Sequence, residues 1–67
     1  MKAYYFNEVH KIQIKETQEN NRIVFSVSFL EKMGERWVKL GPPDIFGSLS
    51  AVKFYYGLND WSVFIND

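Results

Sequence analysis

Glu8 and His10 are separated by one residue, so on a strand they would share a face. A carboxylate beside an imidazole can orient it as a general base. General-base chemistry also needs a nucleophile or a second proton carrier, and no such residue adjoins the pair. Ordinary polar contacts at a sheet edge account for both residues, and no catalytic residues are expected. The carboxylates Asp44, Asp60 and Asp67 fall near expected turns or the terminus. Asp44 follows two prolines and Asp60 closes Gly57-Leu58-Asn59-Asp60, positions that turn chemistry explains. No calcium-loop spacing joins them.

Metal and nucleotide sites fare no better. The chain has no Cys and one His, which excludes thiolate sites and His-rich sites. Gly41, Gly47 and Gly57 do not form a phosphate-binding pattern, and Pro42 and Pro43 remove amides that would cradle a phosphate. No metal and no cofactor are expected.

Aromatic residues are the more informative set. They make up 18% of the chain, and each large ring can bury ~150–250 Å², enough together for the core of a chain without disulfides. A domain this small cannot hide every ring. Tyr4, Tyr5, Phe54, Tyr55, Trp61 and Phe64 are the candidates for display, where they suit hot spots on a protein partner. They also suit base stacking, with Lys11, Lys15, Lys39 and Lys53 tracking phosphates.

The elements that must position these side chains belong to one domain, because 67 residues leave no room for a second core. Such a chain buries only roughly 60% of the surface that it exposes when unfolded. Eight basic and eight acidic residues cancel. The pI near 6.6 lies well below the ~9 of a dedicated nucleic-acid domain. No run resembles a signal peptide or a membrane span. A cytoplasmic protein with no membrane partner is expected.

Ile12 and Ile14 alternate with Lys11, Gln13 and Lys15, the period of a half-buried strand. After the polar stretch at 17–21, Ile23, Phe25, Val27 and Phe29 share one face, with Val24, Ser26, Ser28 and Leu30 on the other. Pairing Glu16 with Asn21 sets Ile14 opposite Ile23, Ile12 opposite Phe25 and His10 opposite Val27, which gathers the apolar residues on one face. If Phe25 faces the core, Phe25→Ala costs ~3–5 kcal/mol. Residues 31–35 form the next turn, with Gly34 supplying a positive φ. A short strand over 36–40 then ends at Gly41-Pro42-Pro43.

Residues 48–56 admit two readings. Val, Phe and Tyr favour a strand by propensity. Punctuation favours a helix: Ser48 or Ser50 can cap its start, and Gly57 before apolar Leu58 matches a Schellman ending. A helix leaves Phe54 off its buried stripe. The expected fold is therefore α+β: a three-stranded antiparallel meander, a short helix near 48–56, then a final strand through Trp61, Val63 and Ile65. The rival is an all-β, five-stranded small barrel.

No family resemblance is evident. A non-catalytic protein-binding module is expected, such as an inhibitor, adaptor or small subunit of the kind that phages and mobile elements encode. It would act through an aromatic face or an exposed strand edge on another protein or on itself as a homodimer. The alternative is a single-stranded nucleic-acid-binding domain that stacks bases on the sheet. Clustering of Lys11, Lys15, Arg22, Lys39 and Lys53 on one face would favour that alternative, and interspersed acids would count against it.

Overall fold

The computed structural model describes residues 1–58 and 65–66. Its strands are β1 (Lys2–Tyr5), β2 (His10–Glu19), β3 (Arg22–Met33), β4 (Arg36–Lys39), β5 (Asp44–Phe46) and β6 (Ile65–Asn66), with one helix, α1 (Leu49–Tyr56). They form an open antiparallel sheet in the order β4-β3-β2-β1-β6, with β5 also on β3. The expected α+β class and the short helix are present, and the barrel alternative is not: the sheet does not close.

The β2–β3 hairpin is the spine of the molecule. Its turn is the two-residue Asn20-Asn21 loop, with φ of 52° and 63°. Two successive left-handed residues give the twist that a tight hairpin needs, and Asn tolerates that region better than most side chains. The ladder therefore runs to Glu19 opposite Arg22, placing Ile12 opposite Phe29, Ile14 opposite Val27 and Glu16 opposite Phe25. This corrects the expected register. Thr17, Gln18 and Glu19 are strand rather than loop, because paired backbone groups outweigh their polar side chains. The slide is an even number of residues, so the apolar faces still meet, with different partners.

Pairing of β1 with β2 and of β5 with β3 adds two strands that periodicity did not indicate. β3 is long enough to hold two neighbours on one side: Phe25–Val27 pair with β5 and Leu30–Met33 with β4. The turn into β4 is only Gly34-Glu35, with Gly34 at φ 67°, so residues 31–33 belong to β3. Asp44, expected in a turn, opens β5 opposite Val27. Asp60 lies outside the described residues. Of the expected final strand, Ile65–Asn66 pairs with Lys2 and Ala3 of β1, and the remainder also lies outside them.

α1 forms as its punctuation predicts. Ser48 Oγ accepts from the Ala51 N–H at 3.1 Å. Gly57 takes φ 66°, and the Leu58 N–H donates to the Lys53 carbonyl at 2.9 Å, the long-range bond of a Schellman ending. An eight-residue helix has little stability alone. Val52 and Leu58 dock it onto Ile12, Ile14 and Val27, forming the core cluster. Phe25 is only half-buried at the rim of that cluster, whereas Val27 is buried, so Phe25→Ala costs less than the core value expected above.

Candidate functional site

Paired residues in an antiparallel ladder point to the same side of the sheet, so the register sorts every strand residue onto one of two faces. The core face carries α1 together with Tyr4, Ile12, Ile14 and Val27. On the opposite face stand Lys11, Lys15, Arg22, Lys32 and Lys39, five of the eight basic residues in the chain. Glu19 is the one acid among the described strand residues on that face. The balanced net charge thus conceals a strong asymmetry.

Lys11 is 4% exposed, although it belongs to the polar face. Tyr5 is its neighbour on β1, and Trp37 reaches over from β4. The Lys11 ammonium lies 5.0 Å from the Tyr5 ring centroid and 4.6 Å from that of Trp37, and it donates to Tyr5 Oη at 3.2 Å. The two rings meet edge to face at 5.8 Å. Cation–π attraction and a hydroxyl acceptor offset part of the cost of withdrawing the charge from water. Beside this cluster, Gln13, Lys15, Ser26, Ser28, Lys39 and Pro43 line a hollow of about 200 Å³, with Met1 at its rim.

The second exposed feature is on α1. Phe54 is 90% exposed and Tyr55 65%. Tyr55 contacts Phe46 and Tyr56, which ties it to the core face, while Phe54 borders a depression with Ser50, Lys53, Gly57 and Leu58. Beyond the first turn of the helix, Ile14, Phe25, Leu49 and Met1 line a further hollow of about 250 Å³, with Lys2 and Glu16 among its lining. The β2–β3 hairpin then projects as a two-stranded arm. Thr17–Glu19 and Arg22–Val24 pair only with each other among the described strands.

The candidate aromatic residues therefore do not form one surface. Phe54 and Tyr55 are displayed on the helix. Tyr4 is half-buried on the core face, edge-on to Phe6. Tyr5, its immediate neighbour, points to the opposite side. Trp61 and Phe64 lie outside the described residues. Of the cations considered for phosphate tracking, Lys15 and Lys39 share a hollow, Lys11 is buried beneath two rings, and Lys53 is on α1, away from the others. Trp37 and Lys32 were not singled out from the sequence; strand alternation marks them only once β4 is aligned with β3.

His10 and Glu8 do not pair. Glu8 lies in the loop before β2, and His10 Nε2 instead meets Glu31 Oε1 at 3.0 Å across the β2–β3 ladder. Both side chains are about a third exposed, which makes this a surface contact worth roughly 0–1 kcal/mol. Among the described residues, no group of three or more His, Asp and Glu is placed to hold a metal ion, and no helix is long and apolar enough to cross a membrane. Compared with known protein families, curated proteins and solved structures, the chain matches none.

Proposed function

We propose that this chain is a small non-catalytic protein-binding module whose contact surface is centred on Phe54 and Tyr55. The observation that carries the reading is the 90% exposure of Phe54 beside the 65% exposure of Tyr55. Single exposed apolar residues are common on protein surfaces. Two adjacent aromatic rings on a short helix, locked by a Ser48 cap and a Gly57 ending, are a different case. Their backbone is already ordered, so docking them costs little further entropy. Aromatic anchors of this kind dominate binding energy at protein interfaces.

The hollow between α1 and the arm offers a place for an apolar side chain of the partner, and the arm edges offer backbone groups for strand addition. The partner in this reading is another protein; a second copy of the chain is the alternative, because the depression beside Phe54 also contains Leu58 as an apolar counterpart.

The test is capture of a partner from the native host's lysate on the tagged chain, with nuclease present, alongside light scattering of the pure protein. The Phe54→Ser/Tyr55→Ser variant serves as the control. A stoichiometric protein partner lost in the folded variant supports the reading. Capture that persists unchanged in that variant overturns it, and dimers of the pure chain that the variant abolishes reassign the surface to self-association.

A further inference from the structure

We propose that the helix-free face of the sheet binds single-stranded nucleic acid, independently of the helix surface. The inference goes beyond protein binding and rests on different residues.

Charge supplies the first part of the argument. Lys15, Arg22, Lys32 and Lys39 all stand exposed on this face, with Glu19 the one opposing carboxylate among its strand residues. Arg22 and Lys32 are at opposite ends of β3, ten residues apart, so the cations span about 33 Å. Such a track matches an extended polyanion rather than one small anion.

Hydrogen-bonding capacity supplies the second. Among the described residues, the hollow between Lys15 and Lys39 is lined by Gln13, Ser26 and Ser28 together with Met1 and Pro43, and by no carboxylate. Hydroxyl, amide and ammonium groups donate to phosphate oxygens, and this lining holds all three. Ser26 and Ser28 sit on the same strand with their side chains on the same side, so successive donors follow the strand direction.

Ring surface supplies the third. Trp37 and Tyr5 stand next to the hollow, with Lys11 beneath them fixing their orientation. Aromatic platforms beside a cationic groove are the recurring device for holding single strands without sequence preference. An acidic protein would use the cations but has no particular need of the rings. Duplex DNA is a poorer fit as well. Of the described elements that could enter a major groove, the arm sets Glu16 and Glu19 against Arg22 alone, and α1 brings Lys53 as its one cation.

Fluorescence anisotropy of a labelled 15-nucleotide oligo-dT, titrated with the intact chain at several salt concentrations, tests the proposal. Four phosphate contacts on a single strand give a salt slope of about −3, at about −0.7 per contact. Lys15→Glu/Lys39→Glu is expected to weaken binding at least tenfold and to flatten the slope by about 1.4. Lys53→Glu, on the other side of the molecule, is expected to change affinity less than twofold. Trp37→Leu is expected to weaken binding severalfold with the slope unchanged, the signature of lost stacking rather than lost charge. Circular dichroism establishes that each variant is folded.

Four results overturn the proposal: no binding at low salt, binding indifferent to the Lys15/Lys39 reversal in a folded variant, a duplex of equal length bound as tightly as the single strand, or poly-glutamate competing as well as unlabelled oligo-dT. The last assigns the face to acidic proteins. Protein capture through Phe54 and Tyr55 is scored on a nuclease-treated sample, so each reading can fail without the other.

Discussion

The Lys11 ammonium stands 4.6 Å from the centroid of the Trp37 ring, joining the second strand to the fourth across the strand between them. The contact holds a buried cation on the face of the sheet opposite α1, where Tyr5 Oη also accepts from it. There the charge organises two aromatic rings beside the polar hollow.

This relationship has a measurable energy. A double-mutant cycle of Lys11→Met and Trp37→Leu, read by urea unfolding, is expected to give a coupling of about 0.5–2 kcal/mol. Methionine keeps much of the apolar stem, so the cycle isolates the charge. Additive effects of the two substitutions would show that the ring and the ammonium are merely adjacent.

Core and display are separated by the two ends of the exposure scale. Ile12 is fully buried under α1, whereas Phe54 is almost fully exposed. Ile12→Ala is expected to cost about 2–5 kcal/mol. That is a large part of the roughly 3–10 kcal/mol available to a domain of this size. Phe54→Ser is expected to change stability by no more than about 0.5 kcal/mol. Urea denaturation of both variants checks the contrast, and a strongly destabilised Phe54→Ser would mean that the ring is buried in the folded chain.

The hairpin turn makes its own prediction, because both loop residues are left-handed: Asn20 at φ 52° and Asn21 at φ 63°. Asn21→Gly removes the steric penalty and is expected to raise the melting temperature. Asn21→Val places a branched side chain in the disfavoured region and is expected to cost about 1–2 kcal/mol. Equal melting temperatures for the glycine and valine variants would argue for a longer loop and for the register expected from the polar stretch alone.

Alkaline pH probes the packing beneath the helix. Burial, the nearby Asp44 carboxylate and Tyr55 raise the Tyr56 hydroxyl above its ordinary value of 10.0. The folded chain therefore holds this proton more tightly than the unfolded chain. The associated stability is intact below pH 10 and is lost as pH climbs through the raised value. Melting temperature is expected to fall above pH 10, and less steeply in Tyr56→Phe than in the wild type. Parallel curves would remove Tyr56 from the account.

What could be read from the chain itself follows the strength of local signals. Ser48 and the Gly57-Leu58 pair announced the helix against the propensity of Val, Phe and Tyr, because caps satisfy backbone groups that propensity ignores. Alternation found the spine strands and their apolar faces. It did not find their register, since Thr17, Gln18 and Glu19 look like loop until Asn20 and Asn21 are seen to close a two-residue turn. β5 was out of reach, being three residues long and held by pairing with β3 rather than by its own composition. β1 was missed for the same reason: Lys2–Tyr5 has no clear alternation, and its place comes from β2.

The site was legible in pieces. Lys11, Gln13 and Lys15 stood on one side of their strand, and Ser26 and Ser28 on the corresponding side of the next. Joining them to Trp37 and Lys39 required the pairing of β4, which no local pattern specifies. Exposure of Phe54 was readable from helical spacing alone, because it falls between buried Val52 and half-buried Tyr56.

The central claim is that the sheet separates two binding surfaces, an aromatic one on the helix and a basic one on the reverse. Amide-resolved NMR of one labelled sample, titrated first with the protein that the chain captures and then with oligo-dT, tests this most directly. The account predicts two disjoint sets of shifted amides. The protein partner should move residues 50–57, and the oligonucleotide should move those around Tyr5, Gln13, Lys15, Ser26, Trp37 and Lys39. Competition of the two ligands for one overlapping set of residues would contradict it.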